Sequence, residues 1–214
     1  MIYLLAFGIF VVAYLYGCFS TARIVAKSFR SLDIYKVGTG LPDTENIFSN
    51  ISRPLGVLVG ALDAAKAYLF LVIVKFLLDL LAGTGLIAGV ETIAEPTFLL
   101  LYGVGLLIGH CLPITHKLKG GRGIFTYTGL MLFFAPWPMI IALLVALVLV
   151  TKYKQVRFAQ YMIVILPVVF EVLFYSFISN YRKAQPPYFV GMMFGVALFM
   201  GVLNFFVSKK LDEL

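Results

Sequence analysis

Cations and glycines occur together at residues 109–123, Gly-His-Cys-Leu-Pro-Ile-Thr-His-Lys-Leu-Lys-Gly-Gly-Arg-Gly, just before an apolar run. Glycine lets a backbone approach a ligand closely, and the free amides at a helix N-terminus attract anions. The segment therefore predicts either a phosphate-binding loop or a basic loop whose glycines only make turns. The glycine density favours phosphate binding, with these candidate residues: Lys119, Gly120, Gly121, Arg122 and Gly123.

A second glycine pair lies at residues 37–46, which read Val-Gly-Thr-Gly-Leu-Pro-Asp-Thr-Glu-Asn. Successive backbone amides in a turn such as Gly38-Thr39-Gly40 can hold an oxyanion. An ordinary turn uses the same residue types, so this segment alone indicates a turn more strongly than a binding site.

Two ionisable residues, Asp63 and Lys66, interrupt a long apolar stretch. Three positions apart, they share a helix face, and charged groups at membrane depth usually face the interior of a helix bundle. A structural ion pair and a contact with a ligand both fit this pattern. The chain shows no group of residues with metal-ligand spacing, so neither a metal nor a cofactor is expected.

The composition sets the environment in which these residues must be placed. Of 214 residues, 62% are apolar and 13% are charged, whereas soluble domains average roughly 45–50% and about 25%. The bilayer is therefore the expected solvent, and residues 1–214 are expected to form a single integral membrane domain. The net charge of +7 indicates membrane orientation, and no interleaving of aromatic and basic residues suggests nucleic-acid binding.

Apolar runs predict an all-α, polytopic bundle of seven transmembrane helices. The predicted segments are Ile2–Ala22, Leu55–Leu81, Thr97–Pro113, Ile124–Phe134, Met139–Val150, Phe158–Ser179 and Tyr188–Val207. The fourth segment is short, because its helix would reach across only about half of the hydrocarbon core. With the N-terminus outside, Arg182 and Lys183 are the only loop cations on the outer side, which predicts an N-out, C-in orientation.

These segments, in this order, resemble the PlsY family of bacterial acyl-phosphate:glycerol-3-phosphate acyltransferases. The resemblance covers residues 14 to about 157, and residues 109–113 with 119–123 match a family motif closely. It also includes these segments: Gly17-Cys18-Phe19-Ser20, residues 32–40 with Asn46, Leu55-Gly56, residues 62–66, and Thr151-Lys152-Tyr153.

The resemblance implies transfer of an acyl group from acyl phosphate to the 1-hydroxyl of glycerol 3-phosphate, giving lysophosphatidate and phosphate. It implies an active face on the cytoplasmic side of a bacterial plasma membrane, in contact with membrane lipids. The implied catalytic residues are Thr39, Asp63, Lys66 and His110. The implied phosphate-binding residues are Gly38, Gly40, Asn46, Arg53, Lys119, Gly120, Gly121, Arg122 and Gly123.

The chain also departs from the family pattern. Thr39 replaces the usual Ser, while Leu41 and Asp43 replace Asn and Gly. Ser49 stands where an Arg is usual, with Arg53 four residues later, and a His-Arg-Glu-Asn-Ile segment is missing from the tail at residues 208–214. Asp43 and Glu45 also add negative charge beside the predicted phosphate site. The alternative is therefore a family relative without that catalysis, or with altered specificity, that binds lipid or anionic ligands in the membrane.

Overall fold

The structure is a computed structural model that describes residues 1–186 and 188–210. The described residues form helices and the loops that join them. The α-helices are α1 (Ile2–Gly17), α2 (Thr21–Arg30), α3 (Thr44–Asn50), α4 (Arg53–Thr84), α5 (Val90–Ile93), α6 (Pro96–Cys111), α7 (Ile124–Phe134), α8 (Pro136–Thr151), α9 (Val156–Phe177), α10 (Ser179–Ala184) and α11 (Phe189–Lys210). Two 3-10 turns lie at Ile34–Lys36 and Ile114–His116.

The chain divides into two compact units, Met1–Leu130 and Met131–Leu214. Within the first unit, α1 packs along α6, and α4 contacts α2, α3, α5 and α6. Within the second unit, α9 packs against α8, α10 and α11. All the predicted site residues belong to the first unit.

The helix lengths match a membrane-embedded fold. Among the described residues, five helical stretches are long and apolar enough to cross a membrane: Ile2–Arg30, Arg53–Thr84, Pro96–His116, Val156–Phe177 and Phe189–Lys209. The helices α7 and α8 are apolar but shorter. The predicted all-α membrane fold is confirmed, and the predicted fourth segment is a short helix of 11 residues.

The first predicted span, residues 2–22, ends earlier than expected. The helix α1 stops at Gly17, and α2 starts at Thr21. The Ser20 side chain accepts the Arg23 N–H at 3.2 Å and so caps the start of the new helix. A non-helical joint at residues 18–20 therefore separates α1 from α2.

Close contact between α1 and α6 fixes the position of that joint. A Cβ atom on Gly17 would overlap the Leu106 carbonyl oxygen, and one on Gly109 would overlap the Tyr14 carbonyl oxygen. Glycines in membrane helices let backbones approach in this way. The contact brings the C-terminal end of α6, which carries His110, to the joint between α1 and α2.

The helix α2 is held to α3 and α4 by an apolar cluster. Its small residues Ala22, Val25 and Ala26 are buried together with Ile47 from α3 and Val59 from α4. The cluster also includes a buried isoleucine from the first 3-10 turn, Ile34. Because both flanking helices are anchored, the chain between α2 and α3 is fixed at its two ends.

Candidate active site

Two loops carry the glycine-rich segments. The first loop, residues 31–43, joins α2 to α3, and the second loop, residues 112–123, joins α6 to α7. Gly38 and Gly40 in the first loop have φ of +55° and +70°, and Gly123 at the end of the second has +76°. These are left-handed conformations that glycine adopts readily, so both segments are sharp turns.

Asn46 holds the first loop in shape from the first turn of α3. Its buried side chain accepts the Thr39 N–H at 3.3 Å and an Asn50 amide hydrogen at 3.0 Å. The Asn46 amide also donates to the carbonyl oxygens of Val37 and Leu41, both at 2.9 Å. Four hydrogen bonds therefore make Asn46 the organising residue of this turn.

Several amides of the turn are used within the loop. The Gly40 N–H donates to the Val37 carbonyl at 2.9 Å, and the Leu41 N–H donates to the Thr39 hydroxyl at 3.3 Å. The structure thus gives Asn46 a structural role. Phosphate binding by Gly38, Gly40 and Asn46 stays a prediction.

The two carboxylates added to the first segment both have partners. Asp43 caps α3 by accepting the Asn46 N–H at 2.9 Å. Glu45 forms an ion pair with Arg122, whose side chain is only 2% exposed. The carboxylate thus offsets the positive charge of Arg122.

The two loops contact each other at Gly121. A Cβ atom there would lie 2.9 Å from His110 Nε2, 3.0 Å from Asp43 Cβ and 3.1 Å from the Pro42 carbonyl oxygen. The Gly121 N–H donates to the His110 carbonyl at 3.2 Å. A side chain at this position would push the loops apart, which is a physical reason for the glycine.

Tyr35 makes a second connection between the loops. Its hydroxyl donates to the Lys119 carbonyl at 3.3 Å, and its ring stacks on His116 with a centroid distance of 6.1 Å. Burial raises the pKa of Tyr35 above its ordinary value, so the hydroxyl stays protonated at neutral pH. The sequence pattern did not single out the contact between Tyr35 and Lys119, because these residues are 84 positions apart.

Asp63, Lys66 and His110 form a buried ionic cluster beside the loops. Lys66 Nζ lies 3.7 Å from Asp63 Oδ1 and 3.5 Å from His110 Nδ1. His110 Nδ1 lies 3.8 Å from the same Asp63 oxygen. The three residues are between 2% and 6% exposed, so their charges are balanced mainly by each other.

The cluster orients the His110 ring toward the second loop. A lysine ammonium group only donates hydrogen bonds, so its contact with His110 favours the tautomer in which Nδ1 is the acceptor. In that tautomer the ring proton is on Nε2, the atom nearest Gly121. His110 would then offer an N–H donor at the contact between the loops.

The remaining predicted residues lie around this centre. Thr39 is half-buried in the first loop, Lys119 is exposed on the second loop, and Arg53 is exposed at the first position of α4. Gly123 directly precedes α7, as predicted for a loop that ends at a helix N-terminus. Residues 211–214, part of the tail in which the sequence lacks the His-Arg-Glu-Asn-Ile segment, lie outside the described residues.

Helices of membrane-spanning length, with two touching glycine-rich loops beside a buried ionic cluster, define an integral membrane protein with a candidate anion site. The family model described as "Glycerol-3-phosphate acyltransferase" matches residues 7–209. The chain therefore belongs to the glycerol-3-phosphate acyltransferase family. The resemblance to PlsY drawn from the sequence is confirmed.

Relatives match over different shares of their length. The chain is 27% identical to glycerol-3-phosphate acyltransferase 1 of Lactobacillus acidophilus over 207 residues, 95% of this chain and 90% of that protein. It is 30% identical to the glycerol-3-phosphate acyltransferase of Mycoplasma capricolum over 150 residues, 70% of this chain and 54% of that protein. The chain thus spans about half the length of the Mycoplasma relatives that it matches.

Two crystal structures share the fold. One is PlsY, an integral membrane glycerol 3-phosphate acyltransferase in its glycerol 3-phosphate form, with a TM-score of 0.71 and 22% identity. The match covers 96% of this chain and 88% of that one. The lysophosphatidic acid form of PlsY matches with a TM-score of 0.66.

Proposed function

We propose that this protein transfers an acyl group from acyl phosphate to the 1-hydroxyl of glycerol 3-phosphate. The products are lysophosphatidate and inorganic phosphate. One observation carries the proposal: Gly121 brings the second loop into contact with both the first loop and His110 of the buried ionic cluster. The segments that resemble the family's motifs thus meet at one place, and family membership supports the same reaction.

The chemistry needs positioning and neutralisation of charge more than a strong base. The hydroxyl oxygen of the acceptor forms an ester bond to the acyl carbon, and the bond from that carbon to the phosphate oxygen breaks. The bonding electrons and the hydroxyl proton leave with the phosphate. Hydrogen-bond donors that are already in place stabilise the negative charge that develops in such a step.

Each predicted residue has a part in this proposal. His110 donates from Nε2 toward the reacting groups, while Asp63 and Lys66 hold its ring. The Thr39 hydroxyl accepts the Leu41 N–H and keeps its own hydrogen for an anionic ligand. The phosphate groups of the substrates are bound by the remaining residues: Gly38, Gly40, Asn46, Arg53, Lys119, Gly120, Gly121, Arg122 and Gly123.

We place this site on the cytoplasmic face of a bacterial plasma membrane, in a chain that crosses seven times with its N-terminus outside. The distribution of loop cations supports this orientation, because positive residues concentrate on the cytoplasmic side. The helix α7, with 11 residues, is the shortest of these segments, and α8 is its return partner. The acyl chain of the donor lies among the lipids at the same face.

The ion pair between Glu45 and Arg122 favours a second candidate function. An arginine that already faces a carboxylate is less available to a phosphate group. The second candidate is a family relative that binds lipid or anionic ligands without the acyl transfer. It predicts binding of glycerol 3-phosphate or lysophosphatidate with no turnover.

Phosphate release separates the two candidates. The purified protein in detergent is mixed with acyl phosphate and glycerol 3-phosphate, and inorganic phosphate and lysophosphatidate are both measured. The Lactobacillus acidophilus relative serves as a parallel assay of the same substrates. Release that depends on the acceptor supports the transferase, whereas ligand binding without release supports the second candidate.

Two pairs of variants test the site itself. Gly121→Ala should sharply reduce turnover because it separates the loops, whereas Gly83→Ala has no described atom within 4 Å of the new Cβ and should not. Lys119→Gln should raise the KM for glycerol 3-phosphate. Lys117→Gln removes another exposed charge two residues away and serves as its control. The proposed site would be contradicted if both glycine variants had the same turnover and both lysine variants had the same KM.

A further inference from the structure

We propose that Thr21, the first residue of α2, is a positioning residue for the buried ionic cluster. The proposal rests on the function proposed above. In this proposal, the residues at the joint between α1 and α2 fix the Asp63 carboxylate and the Lys66 ammonium group.

The Thr21 hydroxyl donates to Asp63 Oδ1 at 2.5 Å. The same oxygen lies 3.7 Å from Lys66 Nζ and 3.8 Å from His110 Nδ1. Asp63 Oδ1 is thus the common point of the cluster, and Thr21 is its shortest contact. A carboxylate held by a hydroxyl donor has a fixed orientation, which in turn fixes the two groups that face it.

The other half of the joint holds Lys66. Its ammonium group donates to the Phe19 carbonyl oxygen at 2.9 Å. In an uninterrupted helix that carbonyl would accept the N–H four residues later, at Arg23. Here the Arg23 N–H donates to the Ser20 side chain instead, so the interruption between α1 and α2 supplies Lys66 with its acceptor.

Three consecutive residues therefore hold the buried ionic cluster in place together. Ser20 caps α2, Phe19 provides a carbonyl to the ammonium group, and Thr21 provides a hydroxyl to the carboxylate. These residues lie against α6 because Gly17 and Gly109 allow the backbones of α1 and α6 to touch. Since Lys66 and Asp63 set the position of His110, the joint controls where Nε2 points.

The test is a series of substitutions at Thr21 in the full-length protein in detergent. Thr21→Val removes the hydroxyl and keeps the shape. It should lower kcat by about tenfold or more, since a hydrogen bond to a buried charge is lost. The KM for glycerol 3-phosphate should stay unchanged, because the Thr21 hydroxyl bonds to Asp63 and not to a residue of either loop. Thr21→Ser restores the hydroxyl and should restore kcat.

Thr126→Val is the matched control. Thr126 is 1% exposed in α7, and within the described part of the chain its hydroxyl has no hydrogen-bond partner. The substitution removes a buried hydroxyl from the same unit of the protein without touching the cluster. It should leave kcat and KM at their wild-type values.

Three outcomes would overturn the proposal: a wild-type kcat for Thr21→Val, a Thr21→Ser variant that is no better than Thr21→Val, or an equal loss in Thr126→Val. If Thr21→Val is too unstable to purify, Thr21→Cys decides the question, because a thiol is a weak donor. Its kcat must then fall below that of Thr21→Ser at equal KM, and equal kcat values refute the positioning role.

A stability measurement separates this inference from the proposed function. If wild-type protein releases no phosphate, the proposed function fails. The contact itself is then tested by thermal unfolding of Thr21→Ser, Thr21→Cys and Asp63→Asn, singly and in combination. The difference in unfolding temperature between Thr21→Ser and Thr21→Cys should be smaller when Asp63→Asn is also present. If the effects of the substitutions at the two positions simply add, the contact between position 21 and Asp63 is refuted.

Discussion

The guanidinium group of Arg122 faces the carboxylate of Glu45, which joins the end of the second loop to α3. Arg122 is 2% exposed and Glu45 is 15% exposed, so the pair lies in a largely water-free environment. The two residues come from the two segments that resemble family motifs. The pair therefore links these segments, and it also neutralises one of the predicted phosphate-binding cations.

Breaking this ion pair from one side should destabilise the protein. Arg122→Gln leaves the Glu45 carboxylate facing a neutral group, and Glu45→Gln does the converse. Each should cost about 3 kcal/mol of unfolding free energy, and the double variant should cost less than the sum. Thermal unfolding in detergent measures the effect.

The control for this prediction is an exposed ion pair in the same unit. Lys36 and Asp33 lie 3.9 Å apart and are 82% and 51% exposed. Lys36→Gln should leave the unfolding temperature almost unchanged, because solvent screens such pairs. If Arg122→Gln lowers the unfolding temperature no more than Lys36→Gln, the buried ion pair does not stabilise the fold.

Asn46 should matter more for stability than the neighbouring Asn50. Asn46→Ala removes four hydrogen bonds from a buried turn and should cost about 2 kcal/mol or more. Asn50→Ala removes one bond from an exposed side chain and should cost much less. Thermal unfolding and the rate of proteolysis in the first loop report the difference. Similar values for the two variants would refute the organising role of Asn46.

Glycines in α1 should respond differently to alanine according to what they contact. Gly17→Ala would drive a methyl group into the Leu106 carbonyl, so the unfolding free energy should fall by about 2 kcal/mol. Gly8→Ala meets no atom within 4 Å among the described residues, and it should be neutral or slightly stabilising. The unfolding temperatures of Gly17→Ala and Gly8→Ala, measured side by side, test this prediction. A neutral Gly17→Ala would show that α1 and α6 do not touch there.

In the second unit, the hydroxyl of Tyr181 should stabilise the contact between α9 and α10. It donates to the buried Glu171 carboxylate at 2.6 Å. Tyr181→Phe should therefore cost about 1–3 kcal/mol of unfolding free energy at neutral pH. Tyr161→Phe removes a hydroxyl from a side chain that is 39% exposed on α9, and it is the control. Thermal unfolding at neutral pH should show a lower temperature for Tyr181→Phe alone.

The same contact has a defined dependence on pH. Burial, followed by the hydrogen bond to Glu171, raises the pKa of Tyr181 above its ordinary value of 10.0. The folded state therefore favours the neutral phenol, and its stabilisation is complete below pH 10 and is lost as the pH rises through the folded-state pKa. The gap in unfolding temperature between wild type and Tyr181→Phe should narrow above pH 10. A constant gap would contradict the assignment.

The sequence alone determined the class of the fold and the location of the candidate segments. The length of an apolar run is a local property, and the bilayer converts it into a helix of matching length. The short helix α7 and the long helix α4 could therefore be predicted without coordinates. The order of the segments was also sufficient for the resemblance to PlsY.

Only the tertiary structure decided which atoms meet. Thr21 reaches Asp63 across 42 positions, and Arg122 reaches Glu45 across 77. No local pattern encodes such contacts, because they depend on how closely α1 approaches α6 and on how the two loops pass each other. Asn46 shows the same limit: its residue type indicated an anion site, and only its neighbours in space show that it also supports a turn.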